Sequence, residues 1–131
     1  MDAAARHLVR QRAGNCCEYC RLPQEAVDAT FHVEHVIALQ HGGTDDPSNL
    51  ALACDRCNLH KGPNLTSIDP ETGAIVPLFH PRKDNWNAHF AFHGPRIIGL
   101  SPQGRATVQL LNINATRRVQ LRVELKATGG M

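Results

Sequence analysis

The sequence predicts an α+β fold, small and stapled by a metal, and three observations carry that reading. Short helical and strand-like segments alternate with turn-rich connections. At 131 residues the chain is one domain, or one small domain with an appendage, and the core it can bury is limited. Two Cys-x-x-Cys pairs, Cys17/Cys20 and Cys54/Cys57, supply four sulfurs of the kind that close tetrahedrally on zinc.

The elements follow in order. Residues 3–13 read as a short helix, with Leu8 and Val9 apolar, Arg6 and Arg10 one turn apart, and Gly14-Asn15 as its stop. Cys17-Glu18-Tyr19-Cys20 is a turn, and Phe31–Val36 is β-branched and aromatic enough for a strand. "QHGGTDDPSN" is a loop, "LALAC" a second short strand, and "DRCNLHKG" a helix ended by Gly62. "DPETG" turns a small hairpin before Pro77. Ser101-Pro102 is an N-cap followed by proline at the first helical position, opening a helix over about 102–112. Val119, Leu121, Val123 and Leu125 alternate strictly, which favours a strand over a frayed helix.

No apolar run approaches the roughly 20 residues that span a membrane. The N-terminal "MDAAARHLVRQRAGN" has no apolar h-region, so no signal peptide is expected. The expected compartment is the reducing cytoplasm, where cysteines serve as metal ligands in preference to disulfides. Four thiolates leave no open coordination position, so a zinc held by Cys17, Cys20, Cys54 and Cys57 is structural and not catalytic. Cys16 is the odd residue, read as a buried or free thiol, with replacement of Cys17 as a ligand the less favoured alternative. A redox role for the Cys-x-x-Cys pairs is excluded, because two such knuckles lock the thiolates on metal.

The stretches "RAGNCCEYC", "FHVEHVIALQHGGTDDPSNLALACDRCNLHKG" and, more loosely, "DPETGAIVPLF" with "WNAHF" resemble the HNH endonucleases of the ββα-metal superfamily. The likeness is firm over about residues 10–65. The remainder resembles the C-terminal extension of some small prokaryotic HNH proteins with two zinc knuckles. The resemblance implies a zinc-stapled ββα-metal core over residues 1–66 with a short N-terminal helix. It also implies a hairpin/helix appendage over 67–131, packed on the core as one compact domain.

The same resemblance implies a metal-dependent DNA endonuclease that leaves a 5′-phosphate and a 3′-hydroxyl. His35 is then the general base, a role that suits an imidazole near neutral pH. Asn49 braces the loop that aims it. Glu34 and a residue on the following helix hold a divalent cation, Mg²⁺ or another such as Mn²⁺, which acts as Lewis acid and leaving-group stabiliser. In a regular strand Glu34 points away from His35, so both can face one site only where the strand ends or twists. The helix ligand is Asn58 or His60. These stand about 200° apart on a helix and cannot both face one ion. Asn58, directly after Cys57 and with an amide oxygen suited to Mg²⁺, is preferred; His60 is the alternative. The rival reading is a catalytically inactive, zinc-stabilised DNA-binding or scaffold module.

Charge is unevenly placed. Residues 96–131 hold Arg96, Arg105, Arg117, Arg118, Arg122 and Lys126 against Glu124 alone, whereas residues 1–95 are net acidic. That asymmetry suits a polyanion partner, with Arg117, Arg118 and Arg122 as candidate DNA contacts beside Lys61, Arg56 and Arg82. His80, His89 and His93 form a loose cluster, His89 and His93 four residues apart, better read as packing around Trp86, Phe90 and Phe92 than as a second metal site.

Overall fold

A computed structural model describes all 131 residues. Helix α1 (Ala3–Arg12) opens on Asp2, whose side chain accepts from the Ala5 amide, and buries Val9. Beyond Gly14 and Asn15, both at positive φ, the first cysteine turn follows. Strand β1 (His32–His35) pairs antiparallel with β2 (Leu50–Ala53), Glu34 facing Ala51 and His35 facing Leu50 across the ladder. All four residues of β2 are buried, so this strand lies inside the molecule rather than on it.

Helix α2 (Asp55–Lys61) starts from Cys54, whose sulfur accepts from the Cys57 amide, and ends on Gly62. The β1–β2 hairpin and α2 make the ββα unit. Hairpin β3–β4 (Thr66–Ile68 and Ile75–Pro77) turns over Asp69–Gly73 as the sequence indicated. A short helix α3 (Trp86–His89) then leads into a third hairpin, β5–β6 (Phe90–His93 and Arg96–Gly99). Helix α4 (Pro102–Leu110) carries Ser101 as N-cap, its hydroxyl accepting from the Gly104 amide. Gly104 has no room for a side chain, since a Cβ would lie 2.1 Å from the His89 carbonyl oxygen.

The last element corrects the sequence reading. Residues 116–127 form a helix, α5 (Thr116–Ala127), and not a strand. Arg, Gln, Leu, Glu and Lys are good helix formers, and they outweigh the alternation of Val119 to Leu125. That alternation does not mark a buried face: Val123 is 52 % exposed while Arg122 is 3 % exposed. The guanidinium of Arg122 donates to the Pro95 and Ile113 carbonyls, and that of Arg118 to the Leu111 and Asn112 carbonyls. The burial signal of this helix is carried by arginines, which a hydropathy pattern reads as surface.

One hydrophobic cluster runs from Val9 through Tyr19, Leu50 and Leu52 to Phe79, Trp86, Phe90, Leu111 and Ile113. It crosses the expected 66/67 boundary. The histidine expectation also meets the structure here. His89 ends α3 and His93 ends β5, so the two do not share a helix face. Trp86 packs against Phe90 and Phe92, with ring centroids 5.2 and 5.6 Å apart. No helix is long and apolar enough to cross a membrane.

Candidate functional site

The cysteine turns converge from opposite ends of the ββα unit. Cys17, Cys20, Cys54 and Cys57 are buried, and their sulfurs all lie within 4.8 Å of one another. The Cys20–Cys54 separation is 3.7 Å, close to the edge of about 3.8 Å in a tetrahedron with Zn–S bonds of about 2.3 Å. Burial pushes the Cys17 and Cys57 thiols up, so a bound cation is what would hold all four as thiolates. Cys16 stands outside, half-buried, its thiol turned to the Gly14 carbonyl. Arg118, from α5, donates to the Cys57 sulfur at 3.0 Å and approaches the Cys54 sulfur at 3.8 Å.

The loop between β1 and β2 is closed by Asn49. Its side-chain oxygen accepts from the Ile37 amide at 2.9 Å, and its nitrogen donates to the Ile37 and Thr44 carbonyls at 3.0 and 2.9 Å. Gly43 is the reason this closure is tight: a Cβ there would sit 1.7 Å from the Ile37 oxygen. Asn49 therefore holds the loop, and the loop delivers Asp45 to His35. The His35 Nε2 lies 2.7 Å from Asp45 Oδ1, with the imidazole side chain 22 % exposed. Hydrogen bonding from His35 holds the Asp45 carboxyl below its ordinary value.

Glu34 and His35 open to opposite faces, since the alternation of β1 persists to its end. Glu34 points inward, where its Oε1 accepts from the Tyr19 hydroxyl and its Oε2 lies 3.8 Å from Lys61 Nζ. Burial pushes the Glu34 carboxyl up, and Lys61 and Tyr19 pull part of that rise back. Burial likewise pushes the Tyr19 hydroxyl well up, which keeps it a donor.

Residues 17–64 match the family model for the HNH endonuclease. That stretch is similar to an HNH domain and covers less than half of the chain. No curated protein and no solved structure matches the chain. The HNH match supports a nuclease-type function and metal binding, and the mixed α+β architecture with four clustered cysteines agrees with a zinc-stapled HNH core.

The remaining expected site residues divide into those left free and those committed internally. Lys61, expected at a phosphate, is 2 % exposed and donates to the Val36 carbonyl at 2.9 Å. Arg82 is turned onto the buried Glu18 carboxylate. Arg118 and Arg122 are spent on sulfur and carbonyl acceptors, so of the expected contacts only Arg56 and Arg117 stand in solvent. These two, with His60, line a cleft of about 690 Å³ between α2 and α5. Asn58 is not on that cleft; on α2 it stands about 60° from Lys61, the residue that reaches Glu34. Tyr19, Asp45 and the bond from Arg118 to sulfur were missed in the sequence. Only Tyr19 carried a signal, as an aromatic inside a four-residue metal turn.

The hard-oxygen donor on the inward side of β1 is the Glu34 carboxylate, whose Oε2 faces α2. A carboxylate oxygen is the kind of donor that hard divalent cations take, with waters and substrate phosphate supplying the rest.

Proposed function

We propose that the protein is a metal-dependent DNA endonuclease in which His35 is the general base. The observation that carries this reading is the 2.7 Å contact of His35 Nε2 with Asp45 Oδ1 on a partly exposed ring. Asp45 accepts the Nε2 proton, which fixes the tautomer and leaves the Nδ1 lone pair to take a proton from water. Asn49 serves the same end at one remove, by holding the loop that carries Asp45. Glu34 and Asn58 would hold the catalytic cation, with His60 the weaker alternative because it faces the α2–α5 cleft. When bound, such a cation supplies charge stabilisation at the phosphate and at the departing 3′-oxygen. Glu34 and His35 lie on opposite faces of β1, so a phosphate served by both has to sit past the end of the strand. Arg56 and Arg117 are the free cations for the DNA backbone.

The pairing of buried Glu34 with Lys61 favours one alternative, an inactive zinc-stabilised DNA-binding or scaffold module, because Lys61 already neutralises the carboxylate. Plasmid nicking separates the two. The endonuclease reading expects nicks in Mg²⁺ or Mn²⁺ that vanish with EDTA under conditions that leave the zinc in place. DNA binding with no cleavage in any divalent cation would leave the module as the function.

A further inference from the structure

We propose that Tyr19 is a positioning residue for Glu34, through which the zinc turn sets the affinity of the neighbouring site for a divalent cation. The inference rests on the reading of Glu34 as a cation ligand. Tyr19 lies between Cys17 and Cys20 and is fully buried. Its backbone is pinned on both sides: the Glu18 amide donates to the Leu52 carbonyl at 2.8 Å, and Trp86 Nε1 donates to the Tyr19 carbonyl at 2.8 Å. Its ring stands edge-on to Phe79 at 6.3 Å. A phenol on such a turn has little freedom, so its hydroxyl is a fixed point wherever the zinc turn is formed.

That fixed hydroxyl donates to Glu34 Oε1. Holding one carboxylate oxygen fixes the plane of the other, and Oε2 is thereby presented to α2, toward Lys61. Glu34 is itself only 8 % exposed, so water cannot substitute freely for the phenol. Partners that orient a ligating carboxylate are worth about 10–100-fold in metal affinity. The two metal centres of the domain are then joined by one side chain: Tyr19 belongs to the zinc turn by its backbone and to the cation site by its hydroxyl.

The test is a Mn²⁺ titration of the zinc-loaded full chain, followed by electron paramagnetic resonance, for Tyr19→Phe, Glu34→Gln and the double variant. Tyr19→Phe should weaken Mn²⁺ about 10-fold, with zinc still at one per chain. The double variant should bind no more weakly than Glu34→Gln alone. Losses that add in the double variant, or wild-type Mn²⁺ binding by Tyr19→Phe alongside weakened Glu34→Gln, overturn the role of Tyr19 and leave the ligand reading standing. Wild-type binding by Glu34→Gln overturns the ligand reading itself. A second measurement covers the case in which Tyr19→Phe fails to fold. Tyr19 is the only tyrosine, so global incorporation of 3-fluorotyrosine labels it alone. Its ¹⁹F resonance should shift through a Mg²⁺ titration in the otherwise unaltered chain and stay still in Glu34→Gln; no shift in either overturns the proposal.

Discussion

His35 and Asp45 share a hydrogen bond that no feature of the loop "GGTDDPSN" singles out. Asp45 and Asp46 are equivalent as letters, yet Asp46 caps the 3₁₀ turn at Ser48 and Asp45 reaches the imidazole. The difference is one of loop closure, set by Asn49 and by the bare backbone of Gly43, and closure is a long-range property that composition does not carry. Motif spacing points to His35 and Asn49 in the sequence, and nothing there points to Asp45. Replacing His35 with Ala should leave DNA affinity nearly intact and lower turnover by roughly 10²-fold or more, the scale of a lost general base. Single-turnover cleavage measures it, and near-normal rates would remove His35 from the chemistry. Asp45→Ala should lower turnover in the same assay without changing DNA affinity, and Asp45→Asn, which keeps an acceptor oxygen, should recover part of the loss.

Helices and hairpins were mostly readable because caps and turns are local. Gly14-Asn15, Ser101-Pro102 and the Asp69–Gly73 turn each state their element within a few residues. Helix α5 was misread because its inward stripe is made of arginines whose acceptors, the carbonyls following α4 and the cysteine sulfurs, lie elsewhere in the chain. The β5–β6 hairpin carried no signal strong enough to stand apart from its aromatic neighbours. Asp69 gives an element-scale prediction. It is buried, accepts a bidentate pair from Arg105 at 2.9 and 2.8 Å, and so ties the β3–β4 hairpin to α4. Arg105 foremost, then the Glu71 amide and the Thr72 hydroxyl, hold its carboxyl well below the ordinary range. A depressed carboxyl contributes stability that is complete above the unfolded value of about 3.9 and is lost as pH falls toward the folded one. Urea unfolding at pH 6 and pH 3 should therefore show Asp69→Asn weaker than the parent at pH 6, with a smaller further loss on acidification. Equal acid losses in the two proteins would dissociate Asp69 from the pH dependence.

Over the whole molecule, the charge asymmetry of the sequence was real, but its surface is smaller than its count. Four of the six cations proposed for DNA are turned inward in whole or part, which leaves Arg56 and Arg117 beside the α2–α5 cleft. Neutralising Arg56 and Arg117 should weaken binding to all duplex sequences alike and reduce the salt slope by about 0.9 for each phosphate left unpaired. An unchanged slope would direct attention to another face. Arg118→Ala should act differently, through metal retention: zinc should leave faster to a chelator, with little change in salt slope. The Arg118–Cys57 pairing also has an order in time. The last of the four sulfurs is synthesised 61 residues ahead of Arg118, a lag of roughly 3–12 s at about 5–20 residues per second. During that interval the nascent thiolates can take up zinc unhindered and can equally be oxidised. Once α5 has closed over them, the rate of metal exchange belongs to the opening of the helix, and raising the chelator concentration should stop accelerating it.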